Sequence, residues 1–381
     1  MNDKKVAING LIMDQRKAGI GNYTFQLLQA MMKMSIPFFI DVYIQQHMKS
    51  FFADTHCMRF IAVPDFKGSR DRIWYEQWIM PSFYNKNGYE VVHFVDYLMP
   101  LGKVNSKKVV TLHDVSFYKK PEYFTLGSRL MKQFFTMLSV RKADRIICDS
   151  QNTRKDTQEK FPFIKKERLE VIHLAAANQH KLDLSQDEER RILQECGISG
   201  AYLLYVGTLE PRKNVETLIR AFQLLIQDRT LPHNLILCGK KGWKYEGIFK
   251  LLQAPDLMGR VRVIGYMPDD KLSILYRNAD VFVYPSFYEG FGLPPLEAMK
   301  EGTAVITSDT SSLPEVVGQA ALLCNPKDVR QLKDLMDQVL RNHELKESLI
   351  KRGYDQTKQY SWEITAQKTL EVYQTLLLGG I

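Results

Sequence analysis

The chain has 381 residues, of which 45% are hydrophobic and 25% charged. This globular composition excludes a disordered, collagenous or coiled-coil chain, and the length suits two domains of about 150–200 residues each. The net charge of +9 lies in the first half: residues 1–180 carry 27 Lys and Arg against 17 Asp and Glu, residues 181–381 carry 25 against 26. Such an excess fits an anionic partner (nucleic acid, phosphorylated ligand or membrane surface) or a plainly solvated basic surface.

The opening segment lacks the apolar core of a secretory signal, and no apolar run approaches the roughly 18 residues that span a bilayer. The five cysteines (57, 148, 196, 238 and 324) form no Cys-x-x-Cys pair. These features predict a cytoplasmic protein with neither disulfides nor zinc.

Apolar runs of strand length occur at Val6–Asn9, Phe38–Ile44, Val91–Phe94, Lys108–Leu112 and Arg145–Cys148. Helical patterns separate most of them, as at Asn22–Lys33 and Leu126–Lys142. A polar stretch, Ala175–Ser199, reads as a linker. Strand runs resume at Tyr202–Val206, Asn234–Leu237, Val261–Ile264, Val281–Tyr284 and Ala304–Thr307, and Trp362–Leu377 closes the chain as an amphipathic helix. Strands apolar on both faces and alternating with helices predict an α/β fold with parallel, doubly wound sheets, here twice over. Two such domains face to face would enclose a cleft. Chemistry is then expected in the loops that follow strands.

Four such loops stand out. Ala18-Gly19-Ile20-Gly21 permits close backbone approach to a ligand, although Thr24 stands where the dinucleotide fingerprint needs its third glycine. His113-Asp114 ends an apolar strand, with a catalytic or positioning role for His113 balanced against a structural one; His93 follows another strand and is a weaker candidate. Gly207-Thr208 leads into the cation pair Arg212-Lys213, either solvated or suited to a diphosphate and the charge that builds as it departs. Glu289-Gly-Phe291-Gly292-Leu293-Pro-Pro-Leu-Glu297 places tight glycines before a helix that begins with two prolines. Amides of Phe291, Gly292 and Leu293 should therefore face a phosphate, with Glu289 and Glu297 on either side for sugar hydroxyls. No Asp-x-Asp triplet, P-loop, Gly-x-Ser-x-Gly or His-Glu-x-x-His sequence occurs, so no metal is expected and the commonest kinase and hydrolase signatures are missing.

Glu289 to Glu297 resembles the Glu-x7-Glu motif of retaining glycosyltransferases of family 4. The likeness extends over nearly the whole chain, through Gly19–Tyr23, Thr111–Asp114, Cys148–Ser150, Val206–Asn214, Gly239–Trp243, Gly265–Tyr266, Ser308–Glu315 and Tyr360–Tyr373. The resemblance implies the GT-B architecture of two facing Rossmann-like domains with an interdomain cleft: residues 1–175 with a crossover helix in 361–381 as acceptor domain, and 176–360 as donor domain. It implies a metal-independent, retaining hexosyltransferase. Such an enzyme moves a sugar from a nucleotide diphosphate sugar to a saccharide or lipid-linked saccharide hydroxyl, in cell-surface polysaccharide or glycolipid synthesis, without a cofactor.

By the same resemblance Arg212 and Lys213 grip the diphosphate. Phe291, Gly292 and Leu293 add amides, Glu297 binds the ribose, and Glu289 and His113 contact the transferred sugar. Gly19 and Gly207 lie near the diphosphate, and Tyr266 is by the base. Many relatives carry Arg where this chain has Thr208, which shifts that task to Arg212. A nucleotide-sugar epimerase of the same architecture and a non-catalytic sugar-binding relative are the alternatives. A nucleic-acid-binding protein is disfavoured for want of a recognisable module. Leu126–Lys142, mixing Arg129, Lys132, Arg141 and Lys142 with Phe134, Phe135 and Met137, either rests on an anionic inner membrane face or packs into a core with its basic face solvated.

Overall fold

The computed structural model describes residues 4–14, 19–177, 184–228 and 231–379. Ala18 of the first glycine turn and the start of the polar run at Asn178 lie outside the described residues. The chain divides into two compact units, Met1–Leu174 with Ser361–Ile381, and Ala175–Tyr360.

The first unit is built on seven parallel strands: β1 (Lys5–Asn9), β2 (Phe39–Gln45), β3 (Met58–Val63), β4 (Val91–Phe94), β5 (Lys107–Leu112), β6 (Arg145–Cys148) and β7 (Leu169–Val171). Their order is β3-β2-β1-β4-β5-β6-β7. Val6, Ala7 and Ile8 are fully buried in succession, as expected for a strand covered on both faces. The helix Trp362–Leu377, last in sequence, belongs to this unit. Thr365 donates to the His173 carbonyl at 2.7 Å, and Trp362 and Tyr373 are buried.

The second unit holds six parallel strands: β8 (Tyr202–Val206), β9 (Asn234–Cys238), β10 (Val261–Gly265), β11 (Val281–Tyr284), β12 (Val305–Ser308) and β13 (Ala321–Cys324), ordered β10-β9-β8-β11-β12-β13. Both orders reverse direction once. The switch points fall between β1 and β4 and between β8 and β11, where open α/β sheets receive ligands.

The structure corrects the linker. Within 175–199 lies a helix, Gln186–Glu195, opened by a capping box in which the Ser185 hydroxyl accepts from the Glu188 amide while Glu188 accepts from the Ser185 amide. Buried Glu189 on this helix accepts from Arg277 at 2.5 Å and Asn278 at 2.8 Å, which fixes it to the helix Asp269–Arg277. The polar composition therefore reflects an exposed helix face and an ion-paired inner one. The structure also adds β3, β7 and β13.

Glycine is required where the loops after β8 and β9 meet. Gly239 has φ 152°, and a Cβ there would stand 1.9 Å from the Gly207 carbonyl oxygen. Gly207 in turn donates to the Cys238 carbonyl at 2.9 Å, and Gly239 to that of Gly265 at 2.7 Å. Three strand ends are thereby laced together. Gly239→Ala should lower stability by at least about 2–3 kcal/mol, read as a shifted urea midpoint; an unchanged midpoint would show that the loops can separate at no cost.

Candidate active site

In the second unit Arg212, Lys213 and Glu289 converge on the β8/β11 switch point. After β8 the chain passes Gly207 and Thr208 into a 3-10 turn, Pro211–Lys213, closed by Asn214 with φ 57°. The Asn214 side chain donates to the carbonyls of Pro285 at 2.9 Å and Pro326 at 2.6 Å, and the Arg212 carbonyl accepts from the Phe287 amide at 2.9 Å. The turn is thus fastened to the loop after β11 that carries Glu289.

There the side chains meet. Glu289 Oε1 accepts from Lys213 Nζ at 2.7 Å, Tyr284 OH at 3.0 Å and Ser286 Oγ at 2.6 Å, and Oε2 accepts from Arg212 Nη1 at 3.0 Å. Arg212 also donates to the Tyr288 carbonyl at 2.7 Å and from Nε to Glu210 at 3.1 Å. Lys213 donates to Tyr284 OH at 2.6 Å. Glu289 and Glu210 are buried, so two carboxylates balance two cations in a desolvated cluster. Burial alone would push the Glu289 carboxyl up; the charges of Arg212 and Lys213, with the Lys213 and Ser286 hydrogen bonds, outweigh it and hold the group at about 2. Lys213 is lowered, first by burial and then by Arg212, against the pull of Glu289 and Glu210.

The rest of the Glu-x7-Glu segment is shaped by Gly292, which caps the helix Leu293–Lys300 at φ 110° with Pro294 and Pro295 in the first turn. A Cβ on Gly292 would meet Leu313 at 2.8 Å. The Phe291 ring is buried, 5.6 Å from that of Tyr360. Glu297 accepts from the buried Tyr276 hydroxyl at 3.1 Å. Thr208 receives the Tyr205 hydroxyl on its carbonyl at 3.2 Å, and Tyr266 is exposed beyond β10.

Gly19 and His113 belong to the first unit. Gly19, φ 54°, caps the helix Ile20–Met31 with open space on its Cβ side. His113 follows β5, and both its ring nitrogens face acceptors: Nδ1 lies 2.7 Å from Asp149 Oδ2 and Nε2 lies 2.9 Å from the Val95 carbonyl. Both nitrogens can donate when the ring is protonated. Burial opposes the charge, yet Asp149 and the two hydrogen bonds raise the His113 pKa above the usual histidine value. His93 differs: it is fully buried, bonded to Tyr373 OH at 2.5 Å and Thr111 Oγ1 at 2.8 Å, and burial drives it down to about 3. It is a neutral packing residue. Glu210 and Asp149 lie within the segments Val206–Asn214 and Cys148–Ser150 but drew no role from the sequence, because a lone acid beside a basic pair, or at a strand end, carries no spacing signal.

Glu289 is a sensitive reporter of the cluster. Its folded pKa lies below the unfolded carboxylate value of 4.5, so its stabilising contribution is fully present above that value and is lost as pH falls toward about 2. Glu289→Gln should flatten the fall in melting temperature over this acid range. An identical acid profile in the variant would mean that the carboxylate is not paired.

Residues 191–356 match the family model described as glycosyl transferases group 1, and residues 18–176 the model described as glycosyltransferase family 4. O-antigen chain mannosyltransferase B of Escherichia coli is 36% identical over 271 residues, covering 71% of each chain. The serotype-specific mannosyltransferase WbdA of the same organism is 31% identical over 73% of this chain, though over only 35% of its own length. Among solved structures, sucrose-phosphate synthase of Thermosynechococcus elongatus superposes with TM-score 0.74 at 20% identity over 99% of this chain and 100% of that one. WaaG, a glycosyltransferase of lipopolysaccharide biosynthesis, gives 0.73 at 16% over 96% and 99%.

Proposed function

Since the chain belongs to glycosyltransferase family 4 and has the GT-B fold, we propose that it transfers a hexose, with retention, from a nucleotide diphosphate sugar to a saccharide hydroxyl. The observation that carries this reading is the buried Arg212–Lys213–Glu289 cluster at the β8/β11 switch point. The second unit is then the donor domain and the first the acceptor domain. The names of the relatives favour O-antigen or other lipopolysaccharide-type polymers as the product, and put mannosyl donors first for assay. Anabaena HepE, similar in fold at TM-score 0.73 and 15% identity, is described in complex with UDP-glucose.

The chemistry follows from the cluster. As the glycosidic bond breaks, negative charge grows on the leaving diphosphate. Arg212 and Lys213 are already desolvated and oriented, so no reorganisation is needed when that charge appears. Tyr284 and Glu289 take two of the three ammonium hydrogens of Lys213, which leaves one for phosphate. Glu289 Oε1 accepts from three protein donors and aims the cations, while Oε2 accepts from Arg212 alone among the described residues and keeps capacity for a sugar hydroxyl. Gly292 and Leu293 supply backbone amides, Glu297 the ribose contact, Thr208 and Gly207 the floor of the site, and Tyr266 a face for the base. In the acceptor domain, Gly19 offers an open backbone at the start of a helix, and Asp149 favours the protonated His113 ring against burial. No metal is needed where two cations do its work.

The acceptor reading extends to a lipid-linked saccharide at the inner membrane face of a cytoplasmic enzyme. Among the described residues no helix is long and apolar enough to cross a membrane. On the helix Leu126–Lys142, however, only Thr136, Ser139 and Val140 are buried, while Leu126, Leu130 and Phe134, spaced by four, form one exposed stripe. Trp74 and Trp78 are exposed on the helix Ser69–Trp78. Apolar stripes flanked by Arg129 and Lys132 suit an anionic headgroup layer.

Two outcomes test these readings. Lys213→Ala should reduce turnover of the nucleotide sugar by roughly 100- to 1,000-fold when assayed at a temperature at which circular dichroism shows the destabilised variant still folded, while a chelator leaves the unmodified enzyme active and NMR shows the anomeric configuration kept. Normal turnover in the variant, or isomerised donor without acceptor, would refute the transferase assignment. Binding to phosphatidylglycerol vesicles should weaken about tenfold in Leu130→Glu/Phe134→Glu and decline with added salt; no binding at low salt would end the membrane reading.

A further inference from the structure

The β1/β4 switch point of the first unit carries its own polar cluster, made of residues that the transfer chemistry above does not use. Asn9 is the last residue of β1 and pairs with Phe94, the last of β4; Asp96 follows two residues later. The helix Ser69–Trp78 lays Arg72 and Glu76, one turn apart, over these strand ends. Arg72 Nη1 lies 3.1 and 3.3 Å from the two Glu76 oxygens and 4.0 Å from Asp96 Oδ2. Asn9 Nδ2 donates to Glu76 Oε1 at 3.2 Å, and the Leu98 amide to Asp96 Oδ1 at 2.7 Å. Asn9, Glu76 and Asp96 are each more than nine-tenths buried, and the Arg72 side chain is 14% exposed.

This arrangement is unlike a closed structural ion pair. Two carboxylates share one guanidinium, and burial drives Glu76 up to about 7, Asp96 adding to the rise and Arg72 opposing it. Arg72 commits Nη1 to the carboxylates, while its Nε and Nη2 donate to none of the described residues. The fully buried Tyr84 hydroxyl has no hydrogen-bond partner among them and feels the Glu76 charge. Nearby, Arg59 and Asp41 show the closed alternative: two parallel bonds at 2.9 and 2.8 Å, with Tyr89 donating to the same carboxylate at 2.7 Å. The Arg72 side chain keeps part of its surface exposed, so these unpaired donors can be reached by a ligand at the switch point.

We propose that Asn9, Arg72, Glu76 and Asp96 form a subsite for an uncharged pyranose of the acceptor. The guanidinium donates from Nε and Nη2 to one sugar hydroxyl, and Glu76 and Asp96 accept from its neighbours. The single positive charge of Arg72 is already matched by carboxylates, so a phosphorylated or uronic sugar is repelled and a neutral one retained. The subsite deepens the transferase reading, and it selects neutral saccharide chain ends over charged ones.

The experiment measures direct binding as well as turnover. Ligand-observed NMR on the full chain, with no donor present, uses methyl α-mannopyranoside as neutral probe and mannose 6-phosphate and methyl glucuronide as charged ones. The neutral probe should bind best, and Glu76→Gln, nearly equal in size, should weaken it by about tenfold or more. Arg72→Lys, which keeps the charge but loses the fork, should do the same. In turnover, both variants should raise the saccharide KM by a similar factor and leave the donor KM and acceptor-free donor hydrolysis unchanged. Unaltered probe binding in either folded variant, or tighter binding of a charged sugar, overturns the subsite. If no nucleotide sugar is turned over at all, the transferase reading fails, yet the binding comparison still decides whether the subsite exists.

Discussion

Four charges buried at one strand-end junction set the terms for the second unit. Arg212 and Lys213 are long, flexible side chains that would ordinarily sample solvent. Here Glu289 and Glu210 hold them, and Glu289 is itself fixed by Tyr284 and Ser286. Each charge is tolerable in the interior only because the others are present; removing one partner from such a group costs roughly 3–5 kcal/mol. The group sits where the strand order reverses between β8 and β11, since the connections that leave the two adjacent strands there run to opposite faces of the sheet and open a crevice at the strand ends. The glycines at Gly207 and Gly239 serve the same end by letting neighbouring loops approach within hydrogen-bond reach.

The first unit repeats the device with a different charge sign. Its switch point has one guanidinium between two carboxylates, where the second unit pairs two cations with two. On the proposed reading, a charge-balanced cluster that keeps one ammonium hydrogen for a ligand suits a diphosphate, and one with surplus carboxylate suits hydroxyl groups. Two sheets wound in the same way can therefore receive chemically different ligands at equivalent positions, with no change of fold.

Much of this was legible before any coordinates. Strands with every residue apolar, such as β8 and β11, announced a covered parallel sheet, and their ends placed Arg212, Lys213 and Glu289 in loops. Two of the three strands that escaped have weaker patterns: β7 is three residues long and carries Glu170, and the run Met58–Val63 is interrupted by exposed Arg59. The helix Gln186–Glu195 was hidden by its polarity, although Ser185 and Glu188 stand at capping-box spacing. Direct pairing of Glu289 with both cations was not legible, because residues 212 and 289 are joined only through strand order. Arg72 and Glu76 were silent for a related reason: spaced by four on a helix, they read as an ordinary surface pair.

The terminal helix shows why sequence distance misleads. Trp362–Leu377 follows the whole second unit, yet it completes the first. His93, on β4, is buried where only an uncharged imidazole is stable, and such a ring needs a partner at each nitrogen. Thr111 on the neighbouring strand satisfies one; Tyr373 satisfies the other. Thr111 also meets the hydroxyl of Tyr23, whose ring lies edge-on to His113 at 4.8 Å, with Trp362 at 6.1 Å. A continuous path of buried polar and aromatic contacts thus runs from the last helix to the His113 ring beside Asp149. Withdrawing that helix would orphan His93 and loosen the Tyr23 ring that lies edge-on to His113. The chain therefore returns to its first sheet to hold the His113 side chain at the end of β5, which makes the terminal segment part of the support for that residue.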